Sequence, residues 1–457
     1  MHMVSIAKNM GSSILNDKYD SIVIGSPKIM IFGLLFLIIN VLGIGVLPAS
    51  GQAPNWEYNV KNYGAVGDGV TDDSVAIKNC INAAIATKGT GTGPVRAEVL
   101  FPPGIYRVTQ NDTLMTPSDG TDGGILGLII RGFGPEVTQI VFAPTTTSTT
   151  NPFVGNLFSA NKRARWFHIK DMTITSENNQ ANCFYFYHDG GGNNMNEGCI
   201  FERLVFAGDW QRVFGFDGGE TANLNSEMTF RNIFGKCATY SDAFFRVGGI
   251  SGIHNQQNQF VNYWFYNTAF VLNGGTLFKF GKGGAANFIN GSWSAASPTA
   301  AAMTFISMPN ENYNNNSAAQ FRFANIRMEP KAANHRIIDC NLNMGSILFE
   351  SCTDLCSIQN SGSFNFPLHR YTGGSPWGFG VHPTVRYVNC HLAGYHLYDG
   401  PASTRGRIIY DGCYFFRGVN GNMANATQDQ GDTSVLRWSS GAARYTFRDC
   451  WNVNDVK

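Results

Sequence analysis

Asp189 and Asp217 each stand directly before a Gly-Gly pair, and the two pairs are about 28 residues apart. If the chain folds so that this interval brings them onto neighbouring rungs, their α-carbons lie about 5 Å apart. Two carboxylates that close cannot both ionise freely, so one is raised and suits general acid/base work. Glu220 follows the second pair, His188 precedes Asp189, and Arg246 and His254 flank a third pair at Gly248-Gly249. Asp189, Asp217 and Glu220 are therefore the catalytic candidates, and His188, Arg246, His254 and Trp264 the substrate-binding ones. Two carboxylates in a groove serve as acid and as base or nucleophile in glycoside hydrolysis. A base beside a substrate carboxylate neutralised by Arg, Lys or a cation suits elimination or epimerisation instead. An Asp before Gly-Gly also caps a turn, and that purely structural use stays open.

The elements that would position these residues come from a repeated phrase: apolar, any, aromatic, any, turn former, apolar. It occurs as WFHIKDMTI (166–174), CIFERLVF (199–206), MTFRNIF (228–234), NQFVNYWF (258–265), ANFINGSW (286–293) and FRFANIRM (321–328). It returns as ILFESC (347–352), VRYVNC (385–390), IIYDGC (408–413) and YTFRDC (445–450). The alternation predicts strands with one buried face. The anchors are Ile169, Phe201, Phe230, Phe260, Phe288, Phe323, Phe349, Tyr387, Tyr410 and Phe447. Two residues on stand Asp171, Asn232, Asn262, Asn290, Asn325, Asn389 and Asp449, which predicts a ladder of turn formers at one bend. Cys352, Cys390, Cys413 and Cys450 share the next position and are expected to stack in the core. A second phrase ends in the Gly-Gly pairs and places Phe186, Phe214, Phe244 and Phe270 four residues ahead of them, an expected aromatic ladder. Two phrases with one period imply several strands per coil and a solenoid. Trp264 and Trp451 occupy one outward position of the repeat and are expected to stack on sugar rings.

Other combinations are weaker. Glu202 and Arg231 share an outward position on neighbouring coils and read as a surface pair. Glu350 and Asp411 share that column with a coil between them. Glu311 and Glu329 flank an Asn-rich insertion. His335, His369, His382, His391 and His396 show no ligand spacing, and no metal site is expected.

Residues 58–77 read YNVKNYGAVGDGVTDDSVAI, followed by a helical apolar pattern and by VLFPPGIYRV at 99–108. Gly64, Gly67 and Gly69 make a turn, and a helix is expected over 73–86. Tyr63-Gly64-Ala65, Gly67-Asp68-Gly69, Thr71-Asp72-Asp73, Ala76-Ile77 and Phe101-Pro102-Pro103-Gly104-Ile105-Tyr106 together resemble the amino-terminal signature of the pectate lyase superfamily. The branch is the rhamnogalacturonase/epimerase-like one, which includes phage tailspikes. The resemblance implies an all-β, single-stranded right-handed parallel β-helix with an amino-terminal capping helix. It makes Asp72 and Asp73 cap and turn residues rather than catalytic acids. The Gly-His-Gly, Asp-Pro-His-Asp and Trp-Ile-Asp-His motifs of the family's enzymes are absent, so the resemblance assigns no catalytic residue.

Residues 1–53 hold a 19-residue apolar run, 29–47, with small residues after it, and are read as an export signal or signal anchor. Residues 54–457 form the β-helix domain, with its cap at 58–108. The protein is then expected outside the cell or at its surface, touching a membrane only through an uncleaved amino-terminal segment. A net charge of +1 provides no field to gather nucleic acid, and 14% charged against 43% hydrophobic residues excludes a disordered tail protein. The expected partner is a polysaccharide or surface glycan. The expected function is cleavage or modification of that polysaccharide, as hydrolase or lyase, without a cofactor, or with Ca²⁺ if the chemistry is that of a lyase. The alternative is a non-catalytic glycan-binding adhesin or tailspike-like protein.

Overall fold

The computed structural model describes residues 56–88, 93–110, 125–160, 164–187, 196–218, 225–250, 260–281, 284–309, 318–342, 344–355, 367–372, 381–393, 395–398, 405–415, 427–428, 436–438 and 444–452. His188, Asp189, Glu220, His254, Glu311 and the apolar run at 29–47 lie outside the described residues.

Alternating apolar and polar residues give strands whose inner faces meet, and each strand pairs in parallel with its equivalent one coil on. The chain thus winds as a parallel β-helix. On one wall the register aligns Ile169, Phe201, Phe230, Phe265, Phe288, Phe323, Phe349, Tyr387, Tyr410 and Phe447. From Phe201 onward the rings form one stack, with centroids 4.3 to 5.1 Å apart. On a second wall the register runs Phe158, Phe184, Phe214, Phe245, Phe278, Ile306, Ile338, His369 and His396. Edge-on contacts such as Phe201–Phe214 at 4.9 Å join the two walls.

The bend after the first wall is a column of left-handed residues: Asp171, Arg203, Asn232, Asn267, Asn290, Asn325, Ser351, Asn389 and Asp449 all have positive φ. Asn tolerates that conformation because its short side chain bonds locally. Asn267 Nδ2 donates to Asn232 Oδ1 and Asn290 Nδ2 to Asn267 Oδ1, both at 3.3 Å.

Two expected positions are corrected. Phe265, not Phe260, joins the ring stack, because Phe260 pairs with Gly284. Asn267, not Asn262, joins this bend. Asn262 belongs to another bend, where its Nδ2 donates to Glu227 Oε1 at 2.7 Å. The expected ladder Phe186–Phe214–Phe244–Phe270 also divides: Phe186 stacks on Phe216 and Phe184 on Phe214. Phe270 lies on the strands that follow the bend, in register with Gly235 and Trp293. Cys352, Cys390 and Cys413 are buried at one position of successive coils, with half-buried Cys450 next.

The helix Ser74–Ala86 buries Ile77, Cys80, Ile81 and Ala84 against the first strands. The Asp73 carboxylate accepts from the backbone N–H of Val66 (2.6 Å) and Gly67 (3.0 Å), and Asp72 Oδ1 from that of Ser74 (3.1 Å). Both acids are thus spent on the turn and the helix start. Gly67 has φ +66°, and a Cβ there would lie 2.9 Å from the Tyr106 ring. Among the described residues no helix is long and apolar enough to cross a membrane.

Candidate functional site

Of the catalytic and substrate-binding candidates, Asp217, Arg246 and Trp264 are described. Asp217 ends the strand Trp210–Asp217 and is only 1% exposed, whereas the sequence placed it facing a groove. Its register partner on the preceding coil is Tyr187. Tyr185 Oη donates to its Oδ2 at 3.5 Å, and Asn225 Nδ2 to its carbonyl at 2.9 Å. Arg246 pairs with Gly215 and is 9% exposed. It donates to Asp242 Oδ1 at 2.6 Å and to the carbonyls of Gly248 and Gly249. Arg212 and Lys279 reach the same Asp242 carboxylate at 3.0 and 3.1 Å. Arg246 therefore belongs to a buried ion cluster rather than to a solvent-facing patch. Trp264 lies half-buried between Thr229 and Asn287, while Trp451 is exposed beside Tyr414 after the bend. The two tryptophans do not share a column.

What the described surface does offer is a groove of about 810 Å³ outside the strands that follow the Asn bend. Its floor is made by Val205, Phe234, Ala269 and Ser292, which are register partners on consecutive coils, and Arg327 continues the same row. Five coils at about 4.8 Å each give a trough roughly 20 Å long. Phe234 presents its ring in it at 40% exposure. Pro135 and Glu136 form one lip, tied down where Thr173 Oγ1 donates to the Pro135 carbonyl at 2.6 Å. Arg203, Lys236 and Arg327 supply positive charge, and Glu136 and Glu329 negative. Glu329 accepts from Arg327 at 2.9 Å and from Ser294 Oγ at 3.3 Å, with Lys331 Nζ at 3.6 Å.

Arg203 links this groove to a charged strip on the other side of the bend. It holds Asp171 through Nη2 at 2.9 Å and also donates to Glu202. Glu202 is nearly buried, receives Arg231 Nη2 at 2.7 Å, and lies 3.2 Å from His168 Nε2. Burial is the largest influence on Glu202 and pushes its carboxyl up, but Arg231, Arg203 and His168 together hold it below the usual carboxylate range. Burial, with the Lys170 charge, holds the His168 imidazole below its ordinary value despite Glu202. His168 is thus neutral at pH 7, and Nε2–H donation to Glu202 makes Nδ1 its acceptor. The pair read from sequence as Glu202–Arg231 is real, but it is one edge of a five-residue network. His168 and Arg203 were missed because they stand at variable positions of the repeated phrases WFHIKDMTI and CIFERLVF, which were read for their anchors and turn formers.

Residues 58–114 match the family described as rhamnogalacturonase A/epimerase, pectate lyase-like. The catalytic domain of Agl-KA superposes with a TM-score of 0.53 at 12% identity, over 86% of this chain and 68% of that one. The likeness to that domain is one of fold, and the family match lies in the amino-terminal part of the β-helix. Over 136 residues the chain is 34% identical to mannuronan C5-epimerase AlgE6 of Azotobacter vinelandii, covering 28% of this chain and 13% of the epimerase. A longer stretch of 207 residues is 30% identical to alginate lyase 7 of the same organism, covering 42% of this chain and 21% of the lyase. The chain therefore spans less than a quarter of the length of these two relatives.

Proposed function

We propose that this β-helix is a secreted or surface protein that binds an acidic polysaccharide along the Val205–Arg327 groove and modifies it beside a uronate carboxylate. The observation that carries the reading is the groove itself. A trough roughly 20 Å long with an exposed Phe234 and cations from Arg203, Lys236 and Arg327 suits a linear, negatively charged glycan. The relatives named for mannuronan and alginate support the same substrate class. Removing a proton beside a carboxylate needs an unprotonated base and a cation. A polysaccharide reaching across the bend from the groove meets His168 as the base, oriented by Glu202, with Arg231 and Lys170 supplying positive charge near it. Asp217, under Tyr185, takes no part in this reading.

A second reading is a non-catalytic glycan binder of the tailspike kind. It is favoured by the fact that Glu202, Asp171 and Glu329 are each already engaged by arginine. A panel of acidic and neutral polysaccharides separates the two. Unsaturated ends or changed uronate stereochemistry with wild type, lost in His168→Asn, supports the enzyme. Binding without any product supports the binder. Repeating the assay with a chelator tests the Ca²⁺ dependence expected of a lyase.

A further inference from the structure

The β-helix interior is apolar over most of its length, and one stretch breaks that rule at several points together. His369 and His396 occupy the row that upstream coils fill with Phe184, Phe214, Phe245 and Phe278. Asp354 pairs with Met328 in a row otherwise held by Trp293 and Met328. All three are fully or almost fully buried. The imidazoles stack at 4.1 Å, and His369 Nε2 lies 2.9 Å from Asp354 Oδ2. One donor atom from each of the three lies within 4.8 Å of the others. In the same coils the ring stack changes from Phe to Tyr387 and Tyr410, and their hydroxyls meet the outer nitrogens of the histidines. Tyr387 Oη is 2.9 Å from His369 Nδ1, and Tyr410 Oη is 2.7 Å from His396 Nδ1.

Among the described residues, two atoms of this group have no hydrogen-bond partner: Asp354 Oδ1 and His396 Nε2. A buried polar atom left unpaired forfeits its hydration with nothing in return, so a core that keeps two of them in one cluster calls for something to bind there. Metal-ligating histidines use one nitrogen on the ion and donate the other N–H to an outer partner. The tyrosine oxygens are placed to receive those N–H groups, which leaves His369 Nε2 for Asp354 and His396 Nε2 as an open donor atom beside them.

We propose that Asp354, His369 and His396 bind a divalent transition-metal ion of the zinc class inside the β-helix. The ion staples the strands Thr353–Asp354, Pro367–Tyr371 and Tyr395–Tyr398 across the lumen and between successive coils. Two imidazoles and one carboxylate are a donor set suited to such ions, leaving one position for water. Tetrahedral ligation at about 2.1 Å sets donor atoms about 3.4 Å apart. The His369–Asp354 pair is already within that distance, and a shift of the His396 ring completes the set. Burial makes the ion structural, and it lies apart from the groove, so this inference does not depend on the proposed function.

The test uses the full chain, produced in medium supplemented with Zn²⁺ or with Co²⁺ and freed of loose metal by gel filtration in chelator. Elemental analysis is expected to find about one ion per chain, and the cobalt form to show the visible absorption of a tetrahedral nitrogen–oxygen site. Unfolding and refolding with chelator should lower the thermal midpoint by several degrees relative to refolding with Zn²⁺. His396→Gln and Asp354→Asn should lower retained metal at least ~10-fold. A folded wild type that retains no metal and melts alike with Zn²⁺ and with chelator overturns the proposal, whether or not the variants fold. Retention of the ion by both folded variants overturns the assignment to these residues.

Discussion

Replacing Asp242 by Asn isolates the best-defined electrostatic cluster of the fold. One carboxylate, 13% exposed, receives Arg246 at 2.6 Å, Arg212 at 3.0 Å and Lys279 at 3.1 Å. Burial pushes that carboxyl up, yet Arg246, Lys279 and Arg212 outweigh it and bring the pKa down from 3.8 to about 2. At 1.36 kcal/mol per unit, this shift makes ionisation of Asp242 contribute about 2 kcal/mol. Neutralising one partner of a buried ion group costs about 3–5 kcal/mol, because the remaining charges stay buried and uncompensated. Asn keeps one acceptor and the same shape, so a loss of about 3 kcal/mol is expected at neutral pH. The folded pKa is depressed, so the stabilisation is complete above the unfolded value near 4 and is lost as pH falls through about 2. Denaturant midpoints of wild type and Asp242→Asn across this range measure the gap. It should narrow by about 2 kcal/mol between roughly pH 5 and pH 2. A gap under ~1 kcal/mol, or one that does not change with pH, would refute the reasoning.

The other predictions concern the scaffold and the groove. Phe265→Ala removes a ring stacked at 4.6 Å on Phe230 and 4.3 Å on Phe288, and should destabilise by about 3–5 kcal/mol in the same denaturation assay. Asn267, at φ +53°, should lose about 1–2 kcal/mol as Ala and clearly less as Gly, which adopts that backbone without a Cβ penalty. Lys236→Ala with Arg327→Ala should weaken binding of an acidic polysaccharide several-fold and flatten its salt dependence, read by affinity electrophoresis, while thermal stability stays unchanged because both side chains are largely exposed.

The coil architecture was legible because it is written locally: an aromatic anchor, a turn former two residues on, and an apolar residue after that. Asp171, Asn232, Asn290, Asn325, Asn389 and Asp449 all take the left-handed bend that this phrase implies. The slip at Phe260 and Asn262 has a physical origin. The segment NQFVNYWFYN holds two aromatic–Asn pairs with the same spacing, and only the parallel register with Phe230 and Phe288 chooses Phe265 and Asn267. The chemistry was far less legible. Asp217 and Arg246 were placed by the Gly-Gly phrase, but that phrase does not reveal the Tyr185 hydroxyl over one or the Asp242 carboxylate beside the other. His168, Arg203 and Arg231 converge on Glu202 from one to 34 residues away, and no linear motif records this. Likewise Asp354, His369 and His396 fit no ligand spacing, since the lumen of a solenoid joins residues whose separation is a fraction or multiple of its period.

The central claim is that the groove from Val205 to Arg327 takes an acidic polysaccharide. Its most direct test is binding of the full-length protein to alginate and to a neutral glucan, with wild type and with Lys236→Ala/Arg327→Ala compared at low and high salt. The account predicts salt-sensitive binding to alginate by wild type, a several-fold loss in the double variant, and no comparable binding to the neutral chain. Equal binding of both polymers, or alginate binding that the double substitution leaves untouched, would contradict it.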